Sequence, residues 1–122
     1  MDSHCLCHIR DIYQALIHFE SDLQHVAGVN LNEAMLLCLL TQEECLLAGE
    51  IADRLHLTRS NTSKVIASLE AKGLVVRERC EHDSRCQRFR ITSQGEKMME
   101  QVHCDAVQVP PILQRLGEET AR

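Results

Sequence analysis

The segment AGEIADRLHLTRSNTSKVIASLEAKG, residues 48–73, decides the fold of this chain. Two helical patterns meet in it across a very short break. Leu47, Ile51 and Leu55 recur at spacing four, with Ala48 and Ala52 alongside, and give one apolar stripe. Val65, Ile66 and Leu69 give a second, with Thr62 one turn earlier. Thr58 suits the N-cap of the second helix and Gly73 the position just past its end. Only His56 and Leu57 lie between the two patterns, too few for a relaxed loop between antiparallel helices. The expectation is a tight corner, the helix-turn-helix arrangement, with the small Ala52 letting the second helix cross close to the first.

The second helix also points to function. Arg59, Ser60, Asn61, Ser63, Lys64 and Ser68 are short polar or basic, and no acid appears before Glu70. A solvated face normally mixes both signs; hydroxyls, an amide and cations without acids suit phosphates and base edges. The bland alternative, a surface that lacks acids by chance, is weakened by the charge of the neighbouring segment. Nine Lys or Arg lie between Arg54 and Arg90 against four acids, a net of +5, while the remainder of the chain carries −10. That asymmetry points one basic face at a polyanion and leaves an acidic body for solubility.

The 122 residues suit a single domain, 1–122, whose size leaves room for dimerisation to matter. No apolar run is long enough to span a bilayer, and the N-terminus lacks a signal-peptide pattern, so no membrane partner is expected. Seven cysteines without an export signal fit a reducing cytoplasm, and an odd number cannot all pair internally. Tyr13, Phe19 and Phe89 are the only aromatic residues, which disfavours stacking on single-stranded bases.

Along the chain, Ile9 to Val26 reads as a long amphipathic helix ended by Gly28. Its apolar stripe is wider than one partner helix requires. Asn30 or Asn32 then caps a nearly all-apolar, buried helix through Leu40, and Thr41 to Glu44 links it to the opening segment. After Gly73 the pattern turns extended. Residues 74–80 and 85–91 flank the polar turn Glu81-His82-Asp83-Ser84, a β-hairpin whose arms carry Arg77, Arg79, Arg85, Arg88 and Arg90. A basic hairpin directly after such a helix is a wing, and its tip can place an arginine in a minor groove. Thr92 or Ser93 caps a helix from Gln94 to about Val107; Pro110-Pro111 stop it, and Ile112 to Leu116 begins another turn or two. The fold class is mainly α with a small β-hairpin wing, a winged helix-turn-helix with flanking helices.

With these elements in order, the chain resembles the multiple-antibiotic-resistance regulator (MarR) family. The resemblance is carried by Ile51-Ala52-x-x-Leu55-x-Leu57-x-x-Ser60-x-x-Ser63-x-x-Ile66-x-x-Leu69-Glu70-x-Lys72-Gly73-Leu74-Val75. It continues through His82-Asp83-Ser84-Arg85 and Ile91-Thr92-x-x-Gly95. It implies a homodimeric transcriptional regulator, a repressor, bound to a palindromic operator of double-stranded DNA. Residues 30–92 would form the DNA-binding lobe, and 1–28 with 93–122 the dimerisation helices. Arg59, Asn61, Ser63 and Lys64, with Ser60 beside them, would meet the major groove. Arg85 would reach the minor groove with Asp83 orienting it, and Arg88 would lie on the same wing. His56 stands where the family usually has Gly, and the last helix is short.

The cysteines leave alternatives open. Cys5-Leu6-Cys7-His8, preceded by His4, has ligand chemistry for zinc or another thiophilic metal, and His103-Cys104 lies on the late helix that the resemblance places nearby. The same thiols suit redox sensing: the family's hydroperoxide-responsive branch carries a reactive cysteine close to the position of Cys7. A third reading gives them no role. Cys38 reads as a small core residue, and Cys45 is ambiguous. A three-residue turn centred on Asp83 would set Cys80 opposite Cys86, close enough for a disulfide that in a reducing compartment would act as a switch. An enzyme is not expected, because no nucleophile, base and oxyanion constellation is present. The rivals are a metal- or thiol-handling protein and a protein-interaction module on a winged-helix scaffold. The effector is not legible.

Overall fold

The computed structural model describes residues 2–80, 83–102 and 109–120. Helix α1 (Ser3–Ala27) is capped by Asp2, whose carboxylate accepts the Cys5 N–H at 2.8 Å, and ends at Gly28 with φ +73°. It begins well before Ile9, where the apolar stripe first becomes regular, because Asp2 satisfies a donor of the first turn. Helix α2 (Leu31–Gln42) starts from a reciprocal cap. Asn30 Oδ1 accepts the Glu33 N–H at 2.8 Å, and Glu33 Oε1 accepts the Asn30 N–H at 3.0 Å.

Strand β1 (Leu46–Leu47) is an element the sequence did not announce. It precedes helix α3 (Ala48–Leu55), the corner at His56, and helix α4 (Arg59–Ala71). Strands β2 (Val75–Cys80) and β3 (Asp83–Ile91) form the hairpin, and β1 pairs with the far side of β3 to give the order β1-β3-β2, all antiparallel. Helix α5 (Ser93–Gln101) is capped by Thr92 and followed by Val102 at its C-cap; residues 103–107 of its expected span lie outside the described residues. Helix α6 (Pro111–Thr120) is longer than the expected turn or two, and Pro111 occupies its first position, where a missing N–H costs nothing.

One core serves these elements. Leu23 of α1, Leu36, Leu37 and Leu40 of α2, Leu46 of β1, Ile51 of α3, and Val65, Ile66 and Leu69 of α4 are all buried, with Val75, Phe89, Ile91 and Met99 closing the far side. At roughly 2 kcal/mol per buried aliphatic side chain this cluster outweighs any exposed ion pair such as Arg10–Asp11, worth under about 1 kcal/mol. Leu23 is the only fully buried residue of α1. Leu6, Ile9, Tyr13, Leu16, Ile17 and Val26 on the same helix are 37–63% exposed. The apolar stripe read from the sequence is therefore real and mostly uncovered within one chain. No single helix is long and apolar enough to cross a membrane.

Candidate nucleic-acid interface

The corner that sets α4 is built on a backbone most side chains avoid: His56 has φ +53° and ψ +43°. Two residues later Thr58 caps α4, its Oγ1 accepting the Asn61 N–H at 3.1 Å, and the Thr62 hydroxyl donates to the Thr58 carbonyl at 2.8 Å. Thr62, Val65, Ile66 and Leu69 hold the inner face. Arg59, Ser60, Asn61, Ser63 and Lys64 are left exposed on the outer face, and the first turn of α4 carries no acid. A cleft of about 350 Å³, lined by Ala48, Gly49, Arg59, Thr62 and Ser63, lies where the N-termini of α3 and α4 converge. Exposed N–H groups, hydroxyls and a guanidinium there suit a phosphate.

Ser68 does not share that face. Its hydroxyl donates to Glu33 Oε2 at 3.0 Å, and Lys72 Nζ donates to both Glu33 oxygens at 2.9 and 2.8 Å and to the Gly28 carbonyl at 2.9 Å. Glu33 is only 2% exposed. Burial pushes its carboxyl up, but hydrogen bonds from Lys72, the Asn30 N–H and Ser68 outweigh that, so it titrates below its ordinary range. The far end of α4 is thus tied to the start of α2 and the end of α1. Only the Asn30–Glu33 spacing signalled any of this in the sequence; the partners lie 35 and 39 residues away.

The basic segment is less free than its composition. Arg54 pairs with Glu43, Lys72 with Glu33, Arg77 with Glu70, and Arg90 with Glu78 and Glu44. Arg77 also donates to Gln87 at 2.7 Å and lies 5.2 Å over the Phe89 ring, bracing the wing's base against α4. Arg59, Lys64, Arg79 and Arg88 make no ion pair among the described residues. Asp83 and Arg85 fall on β3, but their side chains lie outside the described part of the structure.

The wing differs from its expected form at the tip. Asp83 is the first residue of β3, not the centre of a turn, and it pairs with Cys80 after the register slips from Arg79↔Gln87. Cys80 and Cys86 are nonetheless joined by a disulfide, their Cα atoms 5.3 Å apart. Glu81 and His82 lie outside the described residues, as do His103 and Cys104. Cys5, Cys7 and His8 fall within α1, where residues two apart point about 200° from each other, so the two thiols cannot share one ion within a chain. Among the described residues no three His, Cys, Asp or Glu groups cluster as metal ligands; His103 and Cys104, which the metal reading joins to Cys5-Leu6-Cys7-His8, lie outside them. Cys38 is half-buried beside the core, and Cys45 Sγ lies 3.9 Å from the Arg88 guanidinium.

A helix-turn-helix with a basic two-stranded wing, enclosed by flanking helices, defines the winged helix-turn-helix class. The MarR family's sequence profile matches residues 27–85. The solved MarR-family transcriptional regulator Sco3205 of Streptomyces coelicolor, determined in complex with DNA, is 30% identical. The match covers 94% of this chain and 79% of that one with a TM-score of 0.75. The transcriptional regulator BldR of Sulfolobus solfataricus is 25% identical over 98% of this chain and 85% of its own, TM-score 0.72. The HTH-type transcriptional regulator PapX of Escherichia coli is 34% identical over 70 residues, 56% of this chain and 43% of that relative's length. The chain belongs to the MarR family, whose members are regulators and not enzymes.

Proposed function

We propose that this protein is a cytoplasmic transcriptional regulator that binds a palindromic operator in double-stranded DNA as a homodimer and represses until an oxidant or thiophilic metal acting on its cysteines releases it. The observation that carries this reading is the exposed, acid-free outer face of α4. Arg59, Asn61, Ser63 and Lys64 read or clamp the major groove, with Ser60 on the backbone. Arg85, oriented by Asp83, enters the minor groove, and Arg88 adds a phosphate contact. Residues 30–92 act as the reading lobe, and 1–28 with 93–122 as the dimerising frame, supported by the uncovered apolar stripe on α1.

The test is fluorescence anisotropy against a random duplex pool, followed by Asn61→Ala and Lys64→Ala on the selected sequence. A preferred site is expected, with Asn61→Ala relaxing preference at one base position at a cost of about 1–3 kcal/mol. Lys64→Ala is expected to weaken all duplexes alike. No preferred site at any salt concentration would sink the reading.

A further inference from the structure

The geometry points to Arg77 and Glu70 as positioning residues for DNA recognition: together they fix the angle between the wing and α4, and neither touches the duplex. This rests on the proposed role of the wing at the duplex, and it concerns two residues outside the set that would meet DNA.

The hairpin presents one row of side chains to the body of the lobe. The row starts with the pair Val75↔Ile91, continues with Arg77↔Phe89 and reaches Arg79↔Gln87. Alternate positions of a strand share a face, so these six residues point the same way. Val75, Ile91 and Phe89 are buried, whereas Arg77 and Arg79 are exposed. Beyond Arg77 and Phe89 no side chain among the described residues of the hairpin is buried. Arg77 therefore stands where the wing leaves the core. Its Nη2 donates to Glu70 Oε1 at 2.9 Å in the last turn of α4, and its Nη1 to Gln87 Oε1 at 2.7 Å on β3. The guanidinium also lies 5.2 Å from the centre of the Phe89 ring. A rigid, planar fork holds two acceptors at a fixed angle, which the single ammonium of lysine does not. Glu70 follows Ser63 by seven residues, close to two turns, so it shares a flank of α4 with a residue proposed to meet the major groove.

The arrangement supplies little stability. The two side chains are 45% and 28% exposed, and an ion pair so open to water adds little to folding. The hairpin's base is tied down without it: the Thr92 N–H donates to the Leu74 carbonyl at 3.0 Å, and the Thr92 hydroxyl to the Gly73 carbonyl at 2.8 Å. What the brace removes is the freedom of the outer hairpin to pivot against α4. Helix and wing must meet two grooves of one duplex together, so a wandering wing is competent only part of the time. Apparent affinity scales with that fraction, and a wing aligned about one-tenth of the time binds about tenfold more weakly. Glu70 separates this from simple electrostatics. On charge alone, removing a carboxylate beside a DNA-reading helix should tighten binding. As the acceptor of the brace, its removal should weaken it.

The test uses the full chain and its selected duplex, with anisotropy, hydroxyl-radical footprinting at saturating protein, and thermal denaturation. Arg77→Met, which keeps a stem over Phe89, and Glu70→Met should each lower affinity about tenfold with little change in melting midpoint. The double variant should be no weaker than either single one, because both remove the same tie. Protection should persist at the half-site centre and fade at the flank under the wing. Glu70→Met binding as well as wild type or tighter, additive losses in the double variant, or unfolding of both single variants at the assay temperature overturns the proposal. If wild type selects no duplex, the DNA-binding reading fails and takes the proposal with it. If wild type shows no flank protection and Arg88→Ala costs nothing, the wing reading fails. A loss in Arg88→Ala while both brace variants bind normally defeats the proposal alone.

Discussion

His56 carries a conformational cost at the corner that orients α4. A side chain with a Cβ in the left-handed region costs on the order of 1 kcal/mol, and glycine avoids it. His56→Gly is therefore expected to raise the urea midpoint, a gain of about 0.5–1 kcal/mol after glycine's greater freedom in the unfolded chain is counted. An unchanged or lower midpoint would mean the imidazole makes a compensating contact. Gly95 shows the opposite constraint. A Cβ there would lie 2.5 Å from the Leu74 carbonyl oxygen and 2.7 Å from Ile91 Cγ1, both parts of the hairpin's anchored base. Neither can retreat without moving β2 or β3. Gly95→Ala should cost about 1–3 kcal/mol in the same denaturation experiment, and a neutral result would show that α5 does not dock this closely.

Between elements, the Glu33–Lys72–Ser68 cluster fixes α4 against α2. Lys72→Met leaves a carboxylate that is 3% exposed without its cation. Because the ammonium itself keeps contact with water, the loss should be about 2 kcal/mol, below the roughly 3–5 kcal/mol of a fully buried pair. Adding Glu33→Gln to that variant should recover part of the loss, and a double-mutant cycle with no coupling would refute the tie. The lowered pKa of Glu33 sets the sign of the pH dependence. A carboxyl whose folded pKa lies below its unfolded value adds stability that is full above the ordinary carboxylate range, near about 4.3, and is lost as pH falls through the folded value. Wild type should lose stability more steeply than Glu33→Gln on acidification below about pH 4.5. The sequence made the helices legible because apolar periodicity and caps are local: Asn30, Thr58, Gly73 and Thr92 all act where their residue types suggest. It also placed the exposed groups of α4. It did not show β1, since two leucines pair with Phe89 and Arg88 only after the chain folds back. Nor did it show that Ser68, Lys72, Arg77 and Arg90 are engaged in structure, because their partners are remote or cross-strand and a charge count cannot see pairing.

For the whole molecule, the two charge signs and the uncovered stripe of α1 fit one assembly. Arg59, Lys64, Arg85 and Arg88 are the basic side chains of the lobe proposed to meet the duplex. Four per chain put about eight in a dimer, so the slope of log affinity against log salt should approach about −7, with affinity falling on the order of 10³-fold or more between about 50 and 200 mM salt. Dimerisation is what doubles that number. Ile9 and Ile17 are 47% and 52% exposed on α1 and belong neither to the buried core nor to the side chains packed against it. An Ile9→Glu/Ile17→Glu variant should keep its fold, since neither side chain belongs to the core cluster, and should sediment as a monomer at low micromolar concentration. The same variant should bind DNA with about half the slope and lose its preference for paired half-sites, because one lobe then releases half the counterions. A variant that is monomeric yet keeps the full slope and the paired-site preference would show that the lobes bind independently, and that the stripe on α1 serves some other contact.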